Sequence, residues 1–198
     1  MMLVEETTVP QSALPVAQFK DHMRLGSGFS DDGLQDGVLE SYLRAAIAAI
    51  EARTGKILIA RDFSWTLTGW RDARRQPLPV APVSAISEVA LIAMNGDETA
   101  VTDGWYLEPD MQRPSLKASG ASLPTVPTNG RVRIGLLAGF GPEWSDLPAD
   151  LGQAVLMLAA HFYEYRFDVA RGTPAMPFGV NALIEQYRTV RLFMGGPL

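Results

Sequence analysis

The sequence predicts an α+β fold in which the two ends build a helical bundle and the middle forms an inserted antiparallel β subdomain. Three patterns predict it. Apolar residues recur at helical spacing near both ends, at alternating spacing in the middle, and turn-forming residues separate the alternating runs. A helix's apolar stripe must be buried against something, so Leu39, Leu43, Ile47 and Ile50 are expected to pack against Leu151, Val155, Leu158 and Phe162. The division that follows is a helical part over 1–55, a β-rich insertion over 56–144, and a second helical part with a terminal anchor over 145–198. All three belong to one domain, because 198 residues suffice for one substantial core or a core with a subdomain.

Taken in order, residues up to Ser12 show no periodicity and are expected to form a flexible arm. Val16, Phe19, Met23 and Leu25 mark a short helix, with Pro15 suited to its first turn and Gly26 to its end. The stretch from Gly26 to Gly33 reads as a loop in which Asp31 and Asp32 can cap the next helix. That helix is defined by Leu39, Leu43, Ala46, Ile47 and Ile50, and Thr54-Gly55 closes it. From Lys56 the period becomes two: Ile57, Ile59, Phe63, Trp65 and Leu67 alternate with Lys56, Asp62, Ser64, Thr66 and Thr68, and Arg61 is the exception on the apolar face. The proline-spaced run from Pro77 to Val83 is expected to cross the surface as an extended connector.

Residues Ile86 to Met94 followed by Asn95-Gly96 signal a hairpin with a type I′ turn, because that turn needs positive φ at both central positions. Trp105-Tyr106-Leu107 and Arg131 to Ile134 are further strands, with a turn-rich stretch between Pro109 and Gly130. After Gly139-Phe140-Gly141-Pro142 the helical period returns in Leu151, Val155, Leu158, Phe162 and Tyr165, with Ser145 or Asp146 as cap and Pro148 in the first turn. A break at Arg171 to Gly179 precedes a last helix carrying Val180, Ile184, Tyr187, Val190, Arg191 and Met194 on one side.

Composition removes several classes of function. The net charge of −5 argues against a broad phosphate-binding face. Cysteine is absent, which excludes disulfides, thiolate catalysis and Cys-based metal sites. No apolar run approaches the roughly 20 residues that span a bilayer, and the start lacks a signal-peptide pattern. No membrane partner is expected, and the cytosol is the expected place of synthesis and assembly.

Candidate chemistry is sparse. His161 and Glu164 stand one turn apart on a helix, but two ligands are too few for a metal site, and a helix-surface or subunit-contact pair is the plainer reading. His22 lacks an evident pocket or partner, and the two Gly-x-Gly runs match neither a dinucleotide fingerprint nor a P-loop. Hence no catalytic residue, metal or cofactor is assigned. Arg71, Arg74 and Arg75 beside Trp70 form a basic loop that suits contact with a phosphate backbone or an acidic neighbour, or plain solvation. At the far end, Leu192-Phe193-Met194 before Gly195-Gly196 makes an insertable apolar anchor.

The order of these segments resembles a known family. Leu14-Pro15-Val16, Lys20 to Arg24, Asp31-Asp32, Ile50 to Lys56, Leu78 to Val83, the Trp-Tyr-Leu strand, Gly139-Phe140-Gly141, Leu147 to Asp150 and Ala159 to Arg166 succeed one another as in the head-tail connector, or adaptor, proteins of long-tailed phages. The chain is especially similar to the adaptors of alphaproteobacterial gene transfer agents, over about Leu14 to Arg191. The resemblance implies a non-enzymatic subunit of a homo-oligomeric ring, commonly twelvefold, docked beneath the portal protein. The ring continues a channel for double-stranded DNA, without sequence-specific binding, toward a stopper or head-completion protein, in the neck of the finished particle. It also implies that Tyr187, Arg191, Leu192, Phe193 and Met194 grip the portal. Two other readings are another neck or tail-completion protein of sixfold symmetry, and a small-ligand domain or enzyme built on His161 and Glu164.

Overall fold

A computed structural model of the chain describes residues 1–24, 35–165 and 176–188. Helix α1 covers Val16–His22, α2 Asp36–Thr54, α3 Ala149–Glu164 and α4 Phe178–Ile184. The strands are β1 Met2–Glu5, β2 Arg61–Leu67, β3 Arg75–Pro77, β4 Val83–Ile92, β5 Glu98–Ala100, β6 Trp105–Glu108, β7 Ser115–Ala118 and β8 Arg131–Ala138. All named strand pairs are antiparallel. They form a five-stranded sheet in the order β1-β2-β8-β4-β5 and a three-stranded sheet in the order β3-β7-β6. The class is α+β, as the periodicities predict.

Two apolar cores sit side by side. The helical core joins Leu39, Leu43, Ile47 and Ile50 of α2 to Leu151, Val155 and Leu158 of α3, with Phe19 of α1 and Val180 and Ile184 of α4 completing it. The predicted pairing of the two terminal stripes is therefore present. Phe162 packs on this core half-buried, whereas Tyr165 at the end of the stripe is exposed. In the β core, Phe63, Trp65 and Leu67 face inward from β2 and meet Leu136, Ile134 and Val132 of β8 in register.

Between α2 and β2 the alternation expected from Lys56 onward fails. Gly55 ends α2 in the left-handed region at φ 70°, and regular strand begins only at Arg61. In between, Ile57 enters the β core while Leu58 and Ile59 enter the helical core, so consecutive residues are all buried. Lys56, which alternation places on the wet face, is instead 1% exposed. A segment lying between two cores has no solvent face to alternate toward.

The first dozen residues are not a loose arm. β1 pairs with β2 from Met2↔Thr66 to Glu5↔Phe63, the Glu6 amide donates to the Asp62 carbonyl at 2.8 Å, and Val9 is buried. Four residues whose partner lies some sixty positions away carry no local signal. The run after Pro77 also differs from a surface connector: Leu78 and Val80 pack against the β core and Ala81 is buried. The turn-rich stretch hides β7, in which Ser115 and Leu116 are fully buried.

The β4-β5 hairpin exists, but its turn is not type I′. Gly96 has φ 91° while Asn95 keeps negative φ, and Gly96 N–H donates to the Ala93 carbonyl at 3.0 Å, a three-residue loop with a glycine bulge. The caps differ as well. Asp146 folds back on the Glu143 amide at 2.9 Å within a separate 3-10 turn over Trp144–Asp146, and Pro148 stands just outside α3 as its N-cap residue. Gln35 precedes α2 without a side-chain cap, and Asp31 and Asp32 lie outside the described residues.

Candidate assembly surfaces

A buried charge cluster locks the β sheet to the helices. Arg61, on the inward face of β2, donates from Nη1 to Glu51 Oε1 at 2.9 Å and from Nη2 to Glu51 Oε2 at 2.7 Å, a bidentate clasp to α2. Its Nε lies 2.9 Å from Glu5 of β1, and its guanidinium sits 5.2 Å from the Phe63 ring centre. Burial pulls the guanidinium pKa down, but the bonds and charges of Glu51 and Glu5 outweigh it and hold the value above the ordinary one. The exception on the apolar face is thus the joint between helical and β parts.

The basic loop predicted as a contact surface is held by its own hydrogen bonds. The Asp72 carboxylate accepts the backbone N–H groups of Arg74 and Arg75 at 2.8 and 3.1 Å, and Gln76 Oε1 accepts that of Arg71 at 2.7 Å. Arg74 Nε reaches the Ala121 carbonyl and Arg75 Nε donates to Ser115 Oγ at 3.0 Å. Arg71, Asp72, Arg75 and Pro77 line an open concavity. The Arg71 guanidinium has no hydrogen bond or ion pair among the described residues. Trp70 differs from its neighbours: it packs half-buried on the β core and donates Nε1 to the Pro124 carbonyl at 2.6 Å, so it buttresses the loop rather than lining its exposed side.

At the other end of the molecule, α4 runs into a 3-10 turn over Glu185–Tyr187. Tyr187 donates its hydroxyl to Asp150 in the first turn of α3, at 2.8 and 3.0 Å to the two carboxylate oxygens, and its ring meets Phe140 edge-on at 6.3 Å. Gln186 Nε2 donates to the same carboxylate. Burial, and then the bond and charge of Asp150, push the Tyr187 hydroxyl up to about 12, so it remains a protonated donor at neutral pH. Tyr187 therefore clasps the last described turn to α3. Arg191, Leu192, Phe193 and Met194 lie outside the described residues.

Two features escaped the sequence reading. Met1 and Met2 are 88% and 60% exposed on the sheet's open edge, and Phe178 at the start of α4 is 89% exposed. A run of apolar residues at the start of the chain was the available signal for the first; nothing local marks the second. The His161 ring lies 4.6 Å from the Tyr165 ring, tilted by 45°, and among the described residues no group of three or more His, Asp or Glu side chains could hold a metal ion. No helix among them is long and apolar enough to cross a membrane.

No protein-family model matches the chain, and no curated protein sequence matches it. Solved structures do. A chain in the neck of an empty gene transfer agent particle, computed with C6 symmetry, is 58% identical with a TM-score of 0.90, each chain covered completely. A chain in the virion of a native gene transfer agent particle is 57% identical, also over 100% of both chains, with a TM-score of 0.88. The chain belongs to the neck proteins of gene transfer agents. A third neighbour, from the neck of a native particle computed with C12 symmetry, is 54% identical over 100% of both chains with a TM-score of 0.86. As a neck protein the chain is a structural particle component.

Proposed function

We propose that this neck protein is the head-tail adaptor subunit: a non-enzymatic protein that forms a twelvefold ring under the portal and carries the DNA channel on toward a stopper. The single observation that carries the reading is full-length identity of 54–58% to chains in particle necks and virions. Symmetry favours twelve copies over six, since a twelvefold ring also satisfies C6 whereas a sixfold ring does not satisfy C12. The net charge of −5 suits a channel through which DNA slides, because phosphate contacts by Lys and Arg add up and would hold it fast.

In this reading residues beyond Arg188 supply the portal anchor: Arg191, Leu192, Phe193 and Met194, directed by the Tyr187 clasp. Arg71, Arg74 and Arg75 face an acidic neighbour, the portal or the DNA. Assembly begins in the cytoplasm and ends in the particle neck. The test is removal of Leu192 to Leu198, which is expected to leave a folded chain that no longer co-purifies with the portal. Undiminished co-purification rejects the anchor, and localisation of the chain to a sixfold ring below the neck in intact particles rejects the adaptor.

A further inference from the structure

The concavity lined by Arg71, Asp72, Arg75 and Pro77 has a volume of about 410 Å³. Two buried polar side chains support the arginines around it. Gln76, 5% exposed, accepts the Arg71 backbone N–H at Oε1 and donates from Nε2 to the Pro77 carbonyl at 3.0 Å. Ser115, fully buried, accepts from Arg75 Nε at 3.0 Å and donates to the Arg113 carbonyl at 3.2 Å. Burying an amide or a hydroxyl costs free energy unless it is hydrogen-bonded, so each is bound to the loop it supports. Arg71 and Arg75 are thereby held before any ligand arrives.

The acids nearby are already engaged. Asp72 accepts the backbone N–H groups of Arg74 and Arg75. Asp110, whose charge acts on both Arg75 and Lys56, accepts those of Gln112 and Arg113 at 2.7 and 2.6 Å. Glu108 Oε1 takes Lys117 Nζ at 2.5 Å, and its Oε2 stands 3.8 Å from Arg75 Nη2, too far for a hydrogen bond. Donors are left over. The Arg71 guanidinium has no hydrogen bond or ion pair among the described residues, and Nη1 and Nη2 of Arg75 have no hydrogen bond among them.

Guanidinium forks match the planar oxygens of a carboxylate, which accepts their N–H donors in pairs. A DNA backbone suits the place less well. It carries a charge about every 1.7 Å of helix axis, so it would bring phosphates past Asp72, Glu108 and Asp110 as well as past the arginines. The net charge of −5 adds to that repulsion. A single carboxylate need approach only the two forks. We infer that the concavity between Arg71 and Arg75 is a receptor for one carboxylate, an Asp or Glu side chain presented by an adjoining protein of the neck. The inference rests on the contact role proposed above for the basic loop and names the chemistry of the group that fills it.

The test uses particles carrying Arg71→Lys, which keeps the charge and adds a primary amine, treated with a water-soluble carbodiimide that joins an amine to a carboxylate in contact with it. The expected product is an amide between position 71 and an Asp or Glu of another polypeptide, seen as a heavier band and mapped by peptide mass spectrometry. Linkage within the same chain only, or no linkage at position 71, overturns the inference. Should Arg71→Lys not enter particles, the purified chain decides. A labelled hexaglutamate peptide is expected to bind the native chain, and Arg71→Gln about tenfold more weakly. No binding, or equal binding by the two, overturns the inference. Tighter binding of a short DNA duplex, lost in Arg71→Gln, makes the ligand a phosphate and overturns it as well. None of these results bears on the adaptor reading, which stands or falls on the symmetry and position of the ring.

Discussion

The helical part and the β part solve the same problem differently. A helix satisfies its backbone within itself, so once the stripes of α2 and α3 meet, with α1 and α4 closing the sides, the bundle's core is buried within one chain. A sheet satisfies its backbone only through neighbours, and among the described residues the order β1-β2-β8-β4-β5 leaves two edges open. The lesson is that open backbone edges belong to the β part, whereas the helical part exposes only side chains such as Phe178. The β part is where an apolar strand, an exposed hairpin tip at Met94 and an arginine, Arg71, whose guanidinium has no partner among the described residues, are found.

The comparison breaks most sharply at the joint. Arg61→Ala leaves the buried Glu51 charge alone and is expected to cost about 3–5 kcal/mol in denaturant unfolding, and Glu51→Ala less, because Arg61 keeps Glu5. The double replacement Glu51→Leu with Arg61→Met should cost much less, because no buried charge is left alone: Glu5, which also loses Arg61, is 39% exposed and solvated. If the double variant is as damaged as the singles, packing rather than charge holds the two parts together.

The next effect asks whether the two cores melt as one. Leu43→Ala in the helical core and Ile134→Ala in the β core, both fully buried, should each cost about 2–5 kcal/mol. With the Glu51–Arg61 joint intact, calorimetry should show one transition moving down in both variants. A second transition that appears in only one of them would separate the parts.

A smaller effect, of opposite sign, concerns Lys56. Burial holds its amine below the ordinary value, with the charge of Asp110 opposing, and Nζ has no hydrogen-bond partner among the described residues. Lys56→Met should therefore stabilise by about 1 kcal/mol or more at neutral pH. The sign with pH follows from the depressed folded-state value: between it and the unfolded value of 10.5, the unfolded chain binds more protons. The native protein thus gains stability as pH rises through that window, and its deficit relative to Lys56→Met narrows. A gap that widens at alkaline pH would show that the amine is paired and charged in the fold.

The smallest effect lies at the tail. Tyr187→Phe removes the hydroxyl that clasps Asp150 at the partly wet end of α3, and about 1 kcal/mol should be lost. Portal co-purification is the sharper readout, since it should fall if the clasp directs the following residues and stay unchanged if Tyr187 serves only local stability.

Much of this architecture is legible in the residues. The stripes of α2 and α3 repeat over several turns, so their existence and mutual burial follow from periodicity; β2 from Arg61 onward and β8 follow from strict alternation. The adaptor-like order of segments led to the family that the neck structures show. What was not legible has a common cause. β1 and β7 are four-residue strands whose partners are chosen by distant pairing, and the period of so short a run cannot be distinguished from chance. The hairpin turn was misjudged because Asn-Gly permits a type I′ turn without requiring it.

The sequence by itself determined where chain segments are amphipathic and with which period, because that depends only on spacing within a helix or a strand. Only the tertiary structure decided which strands became edges, that Lys56 was buried between two cores, and that Arg61 became the joint. Those outcomes depend on what lies on both sides of a residue in space, and a residue's neighbours in the chain do not carry that information.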